Sequence, residues 1–228
     1  MADEQRRGSR KRSRTERDVP IVTERGGGDA GKALLRYATF ETDLGTFLVI
    51  RSEAGLRHVV FSQDLDPREE LGGIASGQSR LVVEDRIGLR FVADAIRAYL
   101  AGDPTEFSLQ LDLDGLSPFS RDVLQATRSI PYGSLRTYKS IAQAIGAPRA
   151  MQAVGQALSK NRLPIVIPCH RVVQSDGELG GYSCGGPDMK RRLIAIETGQ
   201  YDLGLGADPS TTRRRIRFLL DDTGDTGD

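Results

Sequence analysis

The chain has 228 residues, 38% of them hydrophobic and 6% aromatic, with no tryptophan, which is enough for one large domain or two small ones. No apolar run approaches the about 20 residues of a membrane span, no charged-then-apolar leader opens the sequence, and two cysteines with two histidines make neither a disulfide framework nor a zinc cluster. The net charge of +1 hides an asymmetry: residues 33–117 carry eight Arg/Lys against fourteen Asp/Glu, and residues 118–200 carry eleven against five.

In chain order, residues 1–32 read as a disordered basic arm. They contain Arg6, Arg7, Arg10, Lys11, Arg12 and Arg14, then a flexible Gly26-Gly-Gly28 joint. The arm adds phosphate affinity or solubilises the chain, and the second reading is preferred. Residues 37–41 and 47–51 read as strands joined by a Thr42-Asp-Leu-Gly45 turn, and residues 55–61 as a third, with His58 a structural residue within it. Residues 87–100 show helical spacing through Ile87, Phe91, Ala95 or Ile96, and Tyr99, with Gly102-Asp-Pro104 ending the helix. Residues 33–115 are therefore expected to form a small α/β domain.

The basic second domain is placed at residues 116–200. Ser117 is an N-cap and Pro118 an N1 residue for a helix with an apolar stripe of Phe119, Val123, Leu124 and Thr127, stopped by Ile130-Pro-Tyr-Gly133. Thr137 caps a short helix over residues 138–145, and Gly146 closes it at C′. Ala147-Pro148 opens another helix running to about residue 160. Two short helices joined by a tight glycine turn form a helix-turn-helix pattern. The second helix has an inner stripe of Met151, Val154 and Leu158. Elsewhere it is nearly bare: Ala150, Ala153, Gly155 and Ala157, with Arg149, Gln152, Gln156 and Lys160 between. A major-groove reader carries long side chains for base edges. A bare helix suits backbone and minor-groove contact, unless the alanines merely favour helix. Residues 201–228 read as a charged tail, with Arg213-Arg-Arg-Ile-Arg217 ahead of an acidic end.

The densest chemical signal is Pro164-Ile-Val-Ile-Pro-Cys169-His170-Arg171-Val172-Val173, followed by Gly181-Tyr182-Ser183. A thiol attacks as thiolate, and a nearby imidazole makes thiolate. A cysteine after Ile-Val-Ile is also an ordinary packing residue. Adjacent strand residues point to opposite faces, so Cys169 and His170 would need a local turn or a bridging water to act together. On these residues alone both readings stand, as do nucleic-acid binding and ordinary surface charge for the basic half.

The second half resembles the O6-alkylguanine-DNA alkyltransferases, or methylated-DNA–protein-cysteine methyltransferases. The resemblance rests on Pro118-Phe-Ser-Arg-Asp-Val-Leu, Ile130-Pro-Tyr-Gly133, Thr137-Tyr138, Ala153-Val-Gly155, Asn161, Pro168-Cys-His-Arg-Val-Val173, Asp176-Gly177, Gly181-Tyr182 and residues 193–197. These occur in family order across residues 116–199, and the hairpin at 37–61 is more weakly similar to the family's ribonuclease-like domain. The resemblance implies an α/β (α+β) architecture with a winged helix-turn-helix. It implies irreversible transfer of an alkyl group, methyl above all, from O6-alkylguanine in double-stranded DNA, extending to O4-alkylthymine, to Cys169. The DNA would be bound through the minor groove with the base flipped out. It further implies His170 as base through a water, Glu197 orienting it, and Tyr138 protonating the leaving guanine. Val172 and Cys169 backbone would read the exocyclic amine, the Ser183 amide O6, and Tyr182 would line the pocket. Asn161 would tie the recognition helix to an active-site strand. Thr137, Arg149, Gln152, Ala153, Gly155 and Arg171 would meet DNA. A monomer free of metal and cofactor is expected, in a reducing compartment: the cytoplasm with genomic DNA, or the nucleus in a eukaryote.

Two departures from the family pattern stand out. Gln152 occupies the place of an arginine that fills the hole left by the flipped base. Tyr182-Ser-Cys184-Gly-Gly186 is about one residue longer than the usual pocket loop, which loosens the assignment of Ser183. Cys184 is a bystander, a second thiol near the pocket or a redox partner, the first being preferred. The family's zinc residues have no counterpart here. The competing functions are a damage sensor, whose family examples lack the cysteine, and a cysteine hydrolase, for which no oxyanion motif is present.

Overall fold

The computed structural model describes residues 33–75, 80–199 and 209–222. The expected basic arm and glycine joint lie outside the described residues.

Strands β1 (Ala33–Thr42), β2 (Gly45–Ser52) and β3 (Gly55–Ser62) form an antiparallel meander. Strand β4 (Arg80–Glu84) pairs parallel to β1, giving the order β3-β2-β1-β4. Helix α1 (Pro67–Ala75) supplies the crossover and helix α2 (Arg90–Leu100) follows. Period-two alternation sorts the core residues. Phe47 and Val49 of β2 point to the face covered by Val92, Ile96 and Tyr99 of α2, whereas Leu48 and Ile50 point to Leu35, Leu71 and Val82. A strand covered on both faces reads as a continuous apolar run, as Phe47-Leu-Val-Ile50 does.

The α2 stripe differs from its expected phase. Ile87 is 91% exposed and Phe91 51%, while Val92, Ala93, Ile96 and Tyr99 are buried. The helix starts later than its spacing implies, because the Asp85 carboxylate accepts from the Gly88 amide at 2.7 Å and holds residues 85–88 as a turn. The residue pattern carries little signal for helix α1 or strand β4: α1 is weakly amphipathic, and β4 is short.

In the second half, Ser117 caps α3 (Pro118–Arg128), its side chain accepting from the Ser120 amide. Thr137 and Ser140 form a reciprocal capping box on α4 (Tyr138–Ala144). Helix α5 (Met151–Leu158) follows after Gly146. Two-residue strands β5 (Arg136–Thr137) and β6 (Val172–Val173) pair in parallel beside the α4–α5 pair, and α6 (Gly186–Thr198) follows β6. In α5 the buried residues are Val154, Ala157 and Leu158, and Met151 is 47% exposed, so the inner stripe is rotated from the expected one.

The charged tail expected at 201–228 contains helix α7 (Pro209–Asp222). Its Ile216, Leu219 and Leu220 are buried against Leu135, Val173, Leu179, Ile194 and Ala195. Counting charges hid this amphipathic face, since four arginines share the helix with it.

One core runs through both halves, from Phe47 and Tyr99 to Val123, Ile167 and Leu193. Phe47 is fully buried and stacks on Phe40 (5.3 Å) and Phe61 (4.7 Å). Phe47→Ala is expected to cost about 3–5 kcal/mol in urea denaturation; a loss below about 1 kcal/mol would contradict this packing.

Candidate active site

The segment leading to Cys169 is a compact turn, correcting the expected strand. Pro164 and Pro168 lack the N–H a strand ladder needs. Leu163, Ile165, Val166 and Ile167 are nonetheless all buried, so their backbone groups must be satisfied locally. The Ile167 amide bonds the Leu163 carbonyl, and the Asn161 side chain does the rest. Its Oδ1 accepts from the Leu163 amide at 3.0 Å, and its Nδ2 donates to the Ile167 carbonyl at 2.9 Å and to Cys169 Sγ at 3.1 Å. Ile165 sits at φ 72°, a left-handed conformation costly for a β-branched residue. The strain is local to the turn that aims the sulfur. A 3-10 turn over Cys169–Arg171 then leads into β6.

Cys169 is 5% exposed. Burial raises its thiol to about 11, a push that the Asn161 hydrogen bond and the Lys190 charge only partly oppose. The resting group is therefore a protonated thiol that needs a base. His170 is fully buried. Its Nε2 lies 2.6 Å from Glu197 Oε1 and 3.2 Å from Tyr99 Oη, and Tyr99 Oη donates to Glu197 Oε1 at 2.6 Å. Nδ1 has no hydrogen-bond partner among the described residues. With the Nε2 proton directed at the carboxylate, Nδ1 is left as the acceptor. Burial, aided by the Arg171 and Lys190 charges, keeps this imidazole below its ordinary value against the pull of Glu197, so it is neutral at pH 7.

Glu197 is the hub. Burial alone would raise its carboxyl, but its interactions with His170 and Arg171 hold it at about 2. Arg171 is bidentate on it, Nε to Oε2 at 2.8 Å and Nη2 to Oε1 at 3.0 Å. Arg171 is itself only 6% exposed. It neutralises a buried carboxylate and is not available to DNA, which corrects its expected role. Thr137 is likewise 1% exposed and its hydroxyl is engaged as the α4 cap, so it too is removed from the DNA surface. Gln152 is exposed, and Ala153 and Gly155 partly so, leaving accessible positions on α5, with Arg149 exposed in the turn before it.

Lys190 escaped the sequence reading. It is fully buried, with Nζ donating to the carbonyls of Val172 (2.6 Å) and Leu179 (2.5 Å). Nζ also lies 5.7 Å from the Tyr138 ring centroid. Burial lowers it to about 8, Cys169 opposing. The available signal was its spacing: Lys190, Leu193, Ile194 and Glu197 share one stripe of α6, so two charges stand on an otherwise apolar face. Tyr99 shows only helical spacing in the sequence, and nothing in that spacing announces a hydroxyl bonded to a carboxylate about a hundred residues away.

Tyr138 is half-buried, its hydroxyl kept protonated by burial and by the neighbouring Cys169. Gly180, at φ 71°, packs over it so closely that a Cβ would lie 2.9 Å from Tyr138 Oη. Tyr182 is buried edge-on to His170 with centroids 6.5 Å apart, and its hydroxyl, raised by burial, has no partner among the described residues. Val172 is buried, its carbonyl already accepting from Lys190. Ser183 is exposed and, with Cys184, Asn161 and Lys160, lines a cleft of about 720 Å³ against β3 and Leu65. The structure thus gathers Cys169, His170, Glu197, Asn161, Tyr138 and Tyr182, and leaves Ser183 on the rim.

The 6-O-methylguanine DNA methyltransferase DNA-binding domain model matches residues 118–199, and the family's ribonuclease-like domain model matches residues 35–113. The chain belongs to this family. It is 37% identical over 166 residues to a methylated-DNA–protein-cysteine methyltransferase of Methanosarcina barkeri, covering 71% of this chain and 96% of that one. It is 35% identical over 167 residues to the constitutive enzyme of Bacillus subtilis, covering 72% and 96%. Among solved structures, Mycobacterium tuberculosis OGT in complex with DNA superposes with a TM-score of 0.60 at 31% identity, over 79% of this chain and 99% of that chain.

Glu197→Gln leaves Arg171 charged and unmatched, and is expected to cost about 3 kcal/mol at pH 7. The folded carboxyl lies below its unfolded value, so its stabilisation is present above about pH 4.5 and is lost as pH falls toward about 2. Denaturation midpoints across that window should fall for the native chain and stay flatter for Glu197→Gln; parallel curves would contradict the assignment.

Proposed function

We propose that this protein repairs DNA by taking the alkyl group of O6-alkylguanine onto Cys169, as a single-turnover methylated-DNA–protein-cysteine S-methyltransferase. The observation that carries this is the Cys169 sulfur held by Asn161, followed in the chain by a buried imidazole whose Nε2 is anchored on a carboxylate.

The step needs little from the protein beyond positioning. An O-alkyl carbon has no carbonyl or phosphoryl centre, so attack is one displacement. The Cys169 sulfur forms a bond to the alkyl carbon while the carbon–O6 bond breaks, its electrons passing to the guanine. The thiol proton passes through one water to His170 Nδ1, and Glu197 and Tyr99 hold the ring. Tyr138, kept protonated, donates toward the leaving purine. The product thioether has no good leaving group, so each molecule acts once. A thiol at about 11 is almost wholly protonated in the resting chain and becomes a strong nucleophile as its proton is drawn off.

The substrate is double-stranded DNA. The bare face of α5 fits the minor groove, with the lesion base flipped into the pocket between Tyr138 and Tyr182 and the chain acting as a monomer. The lack of charge at Gln152 weakens the filling of the vacated stack, and Arg149 lies in the turn before α5.

Incubated with a methylated duplex, the chain should gain the mass of one methyl group on the Cys169 peptide, stable to denaturation. Cys169→Ala should lose the label and keep DNA binding. Binding without any label would favour a damage sensor. Gln152→Arg should speed transfer from duplex by about threefold or more while leaving transfer from free O6-benzylguanine unchanged; equal or slower duplex transfer would contradict the role given to this position.

A further inference from the structure

Helix α7 lies outside both matched stretches, which end at residues 113 and 199. Its inward face, Thr212, Ile216, Leu219 and Leu220, is 0–9% exposed and rests on Val173 and Leu179 among others. Lys190 grips that same stretch of chain through the carbonyls of Val172 and Leu179. The turn between them is held by bonds from the Gln174 amide to the Glu178 carbonyl and from the Gly177 amide to the Gln174 carbonyl.

Packing alone would make α7 a cover for apolar surface. Two further contacts are directional. Arg213 Nε donates to the Asp176 carbonyl and Nη2 to its carboxylate, both at 2.9 Å, and Nη1 lies 3.6 Å from Glu178. Gly177, at φ 89°, is seated directly against α7: a Cβ there would lie 2.5 Å from Arg217 Cγ and 2.6 Å from the Arg213 carbonyl oxygen. The chain then runs from Leu179 through Gly180, pressed on the Tyr138 hydroxyl, to Tyr182.

We infer that α7 is a positioning element of the alkyl-acceptor pocket: by clamping the turn at 176–179 it sets the wall formed by residues 180–182 against Tyr138 and the Cys169 sulfur. The inference rests on the alkyl-transfer reading. It gives a use to arginines that otherwise look like a charged tail, since Arg213 is committed to Asp176 and Glu178.

The test uses free O6-benzylguanine, a neutral base that does not report on phosphate contacts. Single-turnover transfer would be followed against concentration for the full chain, Gly177→Ala, Arg213→Ala and a chain ending at residue 205. Iodoacetamide labelling of Cys169 and thermal melts would be measured in parallel. The two point variants should raise the concentration for half-maximal rate about tenfold, with a limiting rate within about threefold and unchanged Cys169 labelling. The shortened chain should lose about a hundredfold in the ratio of the two constants. If the variants react as the full chain does, or if their loss tracks lower melting with faster Cys169 labelling, α7 is a stabilising strap and the inference falls. A full chain that takes no benzyl group overturns the underlying reading, and this one with it.

Discussion

Everything at the site depends on one buried carboxylate. Glu197 receives the His170 imidazole, the Tyr99 hydroxyl and both forks of Arg171 within 3.0 Å. An isolated charge there would be prohibitive, and Arg171 is what allows it to persist. Because Arg171 carries the compensating charge, His170 is free to remain neutral, and a neutral imidazole is what a general base must be. The arrangement also joins the two halves. Tyr99 belongs to α2 of the ribonuclease-like half, His170 and Arg171 to the turn after Pro168, and Glu197 to the end of α6. The site thus forms where the halves share a core.

The second constraint is the sulfur's surroundings. Asn161 satisfies three groups of a strained turn with one side chain, and the sulfur is the last of them. That explains why a nucleophile follows an apolar run and two prolines: the run buries the turn, and the prolines keep it out of a ladder. Lys190 supplies a buried positive charge near the thiol while tying β6 to the pocket wall. Burial raises the thiol, Lys190 and Asn161 pull it back, and the balance leaves it protonated until a base acts.

Much of this was legible in the residues. The Ser117 and Thr137 caps, the Thr42–Gly45 hairpin turn and the Pro-Cys-His-Arg motif act over a few positions, and local chemistry fixed them. The misplaced residues are those whose role is set across the fold. Arg171 sits beside the nucleophile in a basic half and reads as a DNA contact, yet its partner is a carboxylate 26 residues on. Thr137 reads both as a cap and, through the resemblance, as a DNA contact, and burial decides for the cap. Tyr99 and Lys190 gave only a stripe position, and α7 only a charge pattern, because a helix that mixes arginines with apolar residues declares its partner through packing alone.

We propose that a protonated Cys169 thiol is activated by neutral His170 rather than by ionising unaided as pH rises. Single-turnover transfer from free O6-benzylguanine, measured from about pH 5 to 10, tests it directly. The rate should fall on the acid side as His170 takes a proton and hold level from neutral to mildly alkaline pH. A rate that climbs tenfold per pH unit through that alkaline range, following thiol ionisation toward about 11, would contradict it.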